Sequence, residues 1–207
     1  MDSTLLFGCW RRAFSLSPGQ FLFQKGKPIR ETETGQVARS PQSTNLFWLP
    51  LAVLTILLSA TPLGYLPVPG TAQFLTIAHI PVVLGGVMCG PLVGLLLGLL
   101  FGVGNCWYVS PHDPMVQILP RMLGGLVAGL VFRAARRFGN PHSQITMGSL
   151  TAALAGSLSN TLGVTILGLV KGLMPADQVL PVVLFHGGPE ALLAVLVTLP
   201  FAVTRGR

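Results

Sequence analysis

Two ionisable side chains stand inside long apolar runs of this sequence: Arg121, within Leu119-Pro120-Arg121-Met122-Leu123, and Glu190, which opens Glu190-Ala191-Leu192-Leu193. A charge at the centre of a membrane helix costs about 2.5–3.5 kcal/mol or more when it is left unpaired, so each demands a partner. One reading is that they pair with each other and lock two helices together. The other is that Arg121 meets an anionic ligand while Glu190 orients it or accepts from a ligand hydroxyl or amide. Around them lie His79, Asn105, Gln117, Asn160 with Ser157, Ser159 and Thr161, and His186 four residues before Glu190. If that stretch is helical, the spacing puts His186 and Glu190 on one face. If Gly187-Gly188-Pro189 breaks the helix, Pro189 takes a first helical position and Glu190 the first turn, where the helix dipole favours an acid. Trp107 and Tyr108 fit interfacial anchoring or the covering of a bound ligand, and Phe185 fits an apolar lining.

Catalytic patterns are missing. The sequence has no His-Glu-x-x-His helix, nucleophile elbow, phosphate-cradling glycine loop or paired aspartates. Cys9, Cys89 and Cys106 have no paired metal spacing, so no metal site is expected. An enzyme using His79, His186 and Glu190 stays as an alternative.

The elements that must position these residues are membrane helices. Only 9% of the 207 residues are charged and 51% are hydrophobic, against roughly 25% charged in soluble domains. The net charge of +7 does not indicate nucleic acid, because most basic residues flank apolar segments, as they do beside anionic lipid. Six segments are apolar enough to cross a bilayer, near 46–63, 73–89, 91–107, 115–133, 147–170 and 179–203. The expected fold is therefore an all-α bundle of six transmembrane helices over residues 45–207. Gly90-Pro91 marks a tight break between the second and third, and Gly94, Gly98, Gly102 and Gly104 give the third a flat face for close packing. Residues 1–44 carry six of the thirteen Lys/Arg and no apolar period, and read as a disordered basic tail. The positive-inside rule puts both termini in the cytoplasm and leaves Gly64–Ala72, Asn105–Pro114 and Lys171–Gln178 as outer loops.

Five short segments come in a familiar order: His79-Ile80-Pro81-Val82, Gly90-Pro91-Leu92-Val93-Gly94, Leu119-Pro120-Arg121-Met122-Leu123-Gly124, Leu158-Ser159-Asn160-Thr161 and Gly188-Pro189-Glu190-Ala191. Over residues 46–203 the chain resembles the substrate-binding S component of energy-coupling factor transporters, most of all the pantothenate and folate types. The resemblance implies six helices with cytoplasmic termini in a bacterial plasma membrane. It also implies a vitamin bound at the outer end, under the first and third outer loops. Partners would be a transmembrane coupling protein and two ATPases, which alone use ATP; this chain would carry no cofactor. The family's first helix docks on the coupling protein through an Ala-x-x-x-Ala face. Here Ala52, Thr55 and Ser59 are the candidates, with Ile56 where the second alanine falls. A stand-alone secondary permease for a small organic anion is the remaining alternative, because an interrupted last helix would suit a transporter.

Overall fold

The computed structural model describes residues 46–67, 74–108, 113–137 and 141–205; the tail assigned to 1–44 lies outside them. The described chain is mostly helical, with six helical runs and a small hairpin. Helix α1 (Trp48–Ser59) is followed by the antiparallel strands β1 (Tyr65–Pro67) and β2 (Phe74–Thr76), paired Tyr65 to Thr76 and Leu66 to Leu75. Next come α2 (His79–Cys89), α3 (Pro91–Tyr108), α4 (Pro114–Ala135) and α5 (Pro141–Val170). The last run begins with a tight turn at Ala176–Gln178 and passes through α6 (Val179–Val182) and a π-helical stretch at Val183–Gly187. It ends in α7 (Gly188–Arg205).

Three runs are long and apolar enough to cross a membrane: Pro114–Ala135, Ser143–Val170 and Ala176–Thr204. The expected helices over 46–63 and 73–89 need correction. Helices α1 and α2 have 12 and 11 residues, which at about 1.5 Å per residue is less than a hydrocarbon core of about 30 Å. Pro62 is the local cause. A proline disfavours helical backbone in the residue before it, and Thr61 is extended (φ −133°, ψ 159°). The chain then turns into β1, and the start of the second segment is β2, so the fold is not purely α.

Other sequence features act as expected. Gly90 has φ +104°, which strongly favours glycine, and α3 starts at Pro91. The glycine stripe of α3 is a packing surface. A Cβ on Gly98 would lie 2.2 Å from the Arg121 carbonyl oxygen, so α3 and α4 meet backbone to backbone. On another side of α3, a Cβ on Gly104 would fall 2.1 Å from the Ser59 hydroxyl of α1.

Polarity is arranged inside out. Along α5, Ala153, Ser157, Thr161 and Thr165 are buried, while Leu154, Leu158, Leu162 and Ile166 face outward. Large apolar side chains outside and small or hydroxylated ones between helices is the packing that suits lipid, where the hydrophobic effect does not hold helices together. The buried hydroxyls are mostly spent on their own helix: Thr55 donates to the Leu51 carbonyl at 2.7 Å, Ser149 to Ile145 at 2.6 Å and Thr165 to Thr161 at 2.7 Å.

Candidate functional site

The site is built on α4. Asp113 caps its N-terminus by accepting from the Met115 amide at 2.9 Å, and Pro114 fills the first helical position, where no amide hydrogen is needed. Two turns on, Pro120 cannot donate to the Val116 carbonyl. Arg121 makes up for this: its Nη1 donates to the Val116 carbonyl at 3.3 Å and to the Gln117 carbonyl at 2.5 Å. The guanidinium is thereby folded along its own helix, with Cζ 5.0 Å from the centroid of the Phe101 ring. Arg121 is 9% exposed, and its Nε is buried with no hydrogen-bond partner. The Asn160 Oδ1 of α5 is also buried and unpartnered.

These residues border a cavity of about 120 Å³ between α3, α4, α5 and the last run, walled by Phe101, Arg121, Asn160, His186, Glu190 and Thr76 of the hairpin. Lined by some of the same residues is a second space of about 10 Å³ that also borders His79 and Ser157. An unmatched donor and an unmatched acceptor beside one cavity are unusual, because buried polar groups are nearly always paired. The arrangement can receive a group that accepts from Arg121 and one that donates to Asn160.

Arg121 and Glu190 border this cavity together but do not pair; among the described residues the one ion pair is Lys171 with Asp113 at 2.5 Å. The reading in which they lock two helices directly is therefore corrected. Glu190 Oε1 instead accepts from the Thr76 amide at 2.9 Å and so holds β2 against α7. His79 assists: Nδ1 faces the Thr76 carbonyl at 2.5 Å and Nε2 faces the Glu190 carbonyl at 3.0 Å. A neutral imidazole has one N–H, which donates to one of these carbonyls, and through it His79 is tied to the backbone beside Glu190.

Gly187-Gly188-Pro189 does not break the last run. The stretch before Pro189 widens into π-helix, the usual device by which a helix absorbs a local misfit, often at functional sites. Pro189 cannot donate to the carbonyl four residues back, and the wider turn precedes it directly. His186 and Glu190 border the cavity together from this segment.

Asn105 and Gln117 form a second polar cluster at the α3–α4 contact. The Asn105 Nδ2 donates to Gln117 Oε1 at 2.6 Å, and the Tyr65 hydroxyl contacts both Asn105 Oδ1 and the Ser59 carbonyl, the latter at 3.0 Å. Neither amide borders the central cavity; Gln117 instead lines a separate crevice of about 180 Å³ with Asp113 and Val164. Turning both amides leaves the Tyr65 proton for Ser59 and gives every donor its own acceptor.

Several expected residues are not brought to the cavity. Trp107 is 88% exposed and lines an outer groove with Ile56 and Val103, and Phe185 is 68% exposed. The side chain of Tyr108 lies outside the described residues. The aromatic wall is supplied by Phe101, which no charge or motif marks in the sequence. Ala52, Thr55 and Ser59 are all buried, so the small-residue face of α1 is used inside the fold. The outward face of α1 presents Val53, Leu54, Ile56 and Leu57. Thr76 and Tyr65 were not anticipated either; their only signal was their position near the first connection between apolar segments.

Outside the spanning segments, Lys171 bridges the α5 exit to the start of α4. Its hydrogen bond to Asp113, aided by the Met115 amide, holds that carboxyl below its ordinary value of about 3.8. Among the described residues no three His, Cys, Asp or Glu side chains gather to hold a metal.

The described residues thus join three runs long and apolar enough to cross a membrane with a polar cavity between helices. The family model for the substrate-specific component of ECF transporters matches residues 51–202, and the chain belongs to that family. Comparison with curated proteins returned no match.

Proposed function

We propose that this protein captures a carboxylate-bearing, water-soluble vitamin, with pantothenate the best fit, from the outer side of a bacterial plasma membrane. It then delivers the vitamin through a transmembrane coupling protein driven by two ATPases. In this reading all six helical runs, with the hairpin, make up the membrane bundle, both termini are cytoplasmic, and ATP is used by the partners alone. The observation that carries it is the unmatched Arg121 Nε beside the unmatched Asn160 Oδ1 at one cavity. A carboxylate would pair with the charge of the Arg121 guanidinium, where a charge-assisted bond is strong because water is largely excluded. A cargo amide or hydroxyl would donate to Asn160. Phe101 forms the apolar wall.

The cavity of about 120 Å³ is smaller than the roughly 300 Å³ at which small-molecule pockets begin, so admission of the cargo requires the outer wall to yield. The Thr76–Glu190 bond joins the hairpin to that wall, and its opening is the smallest movement that enlarges the space. Nothing favours the rival readings. The last helical run is not interrupted, which removes the feature that suited a stand-alone permease.

The test is purification of the protein from cells, followed by mass spectrometry of any small molecule that remains bound. Pantothenate or another vitamin carboxylate is expected; a cargo without an anionic group would remove Arg121 from its assigned role. Recovery of a coupling protein and two ATPases with the tagged chain is expected from the same preparation.

A further inference from the structure

Ser157 adds a third unmatched buried atom to Arg121 Nε and Asn160 Oδ1, one that the cargo reading does not use. In α5, Ser149, Thr161 and Thr165 all donate to the carbonyl four residues back, the ordinary way for a helical hydroxyl to be satisfied. Ser157 lies on the same buried side of α5 as Ser149, Thr161 and Thr165 and is fully buried, yet its Oγ has no partner. It borders the 10 Å³ space together with Arg121 and Asn160, whose Nε and Oδ1 are the other unmatched atoms there. The three residues that carry these unmatched atoms, from two helices, thus line one small space. That volume is about that of a single water-sized group, and buried waters typically make about three hydrogen bonds.

We infer that Arg121, Ser157 and Asn160 form a site for one oxygen that both donates and accepts. That oxygen accepts from the Arg121 Nε, donates to the Asn160 Oδ1, and exchanges its remaining bond with the Ser157 hydroxyl. Either orientation of the Asn160 amide is met, since such an oxygen can also accept from an amide nitrogen. A carboxylate oxygen, which cannot donate, satisfies only part of the set. The site therefore takes a resident water or a hydroxyl of the cargo, beside the place where the cargo's anionic group meets Arg121. The water form stands without the proposed function; the hydroxyl form rests on it.

The experiment is a double-mutant comparison of Ser157→Ala, Asn160→Ala and the double variant of the full chain. Melting temperature is read in nanodiscs, without ligand and with pantothenate. If a water occupies the site, the two substitutions couple without ligand: the double variant loses less than the sum of the single losses, because both remove bonds to the same oxygen. If a cargo hydroxyl occupies it, coupling arises only with pantothenate present. Additive losses under both conditions overturn the proposal. Failure of pantothenate to bind the unmodified protein counts against the cargo reading alone and leaves the ligand-free arm decisive. Should a variant not fold, a high-resolution structure of the unmodified protein decides: density within hydrogen-bonding distance of all three atoms is expected. An Oγ turned to the Ala153 carbonyl with no such density overturns the site.

Discussion

Two polar clusters stand on α4, one turn apart, and differ in what they leave undone. At Gln117, the Tyr65–Asn105–Gln117 chain closes on itself, each amide and hydroxyl finding a partner within the protein. At Arg121, Nε, Asn160 Oδ1 and Ser157 Oγ have none. The residue types are comparable, and before folding both sets qualify equally as ligand readers. The difference teaches that in an apolar bundle the complete cluster holds helices together and the incomplete one is available to a ligand, because an unpaired buried polar group is costly unless something else supplies the bond.

That contrast can be broken outright by pushing α3 and α4 apart. Gly98→Leu places side-chain atoms where the Arg121 carbonyl lies, 2.2 Å from the first added carbon. It should destabilise by about 3 kcal/mol or more and abolish both clusters, read as loss of a cooperative melting transition. A smaller effect separates the clusters. Arg121→Ala should weaken vitamin binding about tenfold or more, since a hydrogen bond to a charged group is worth about 1.5–3 kcal/mol, while the bundle still folds. Unchanged affinity by calorimetry would take Arg121 out of the site. Tyr65→Phe is the converse. It removes one proton from the closed cluster and should lower stability by about 1 kcal/mol, with vitamin affinity little changed; a large loss of affinity would mean that this cluster also reads cargo.

The smallest effect lies at the surface. The Asp113 carboxyl is held below its ordinary value by Lys171, so its bridge contributes stability above about pH 3.8 and loses it as pH falls through the lower folded value. Asp113→Asn should remove that acid-dependent part, bringing the melting curves of variant and unmodified protein together at low pH. Curves that stay parallel throughout the acid range would show that the bridge adds nothing.

Much of the architecture was legible from residue order. Gly90-Pro91 marks a helix boundary because a positive φ and a missing amide are local matters, and the glycines of α3 mark close packing because nothing larger fits between two backbones. The hairpin was not legible: residues 61–63 and 74–76 belong to segments apolar enough to read as membrane helix with a loop between them, and only the extended backbone before Pro62 and the pairing of β1 with β2 show otherwise. Within the site, Arg121, Glu190 and Asn160 stand out because polar groups are expensive in lipid. Phe101 does not stand out, since an aromatic residue among leucines is ordinary in a membrane helix. Trp107 and Phe185 stand out yet do not border the cavity, for the complementary reason: an aromatic residue suits a ligand and a lipid boundary equally well.

Sequence alone determined that this chain belongs in a bilayer, where its helices break, and that a few buried charges must be accommodated, because each of these follows from composition and from bonding along one segment. Tertiary structure decided which of those polar groups would be satisfied. That depends on whether a partner from another helix comes within about 3 Å, and spacing within a single helix carries no information about it.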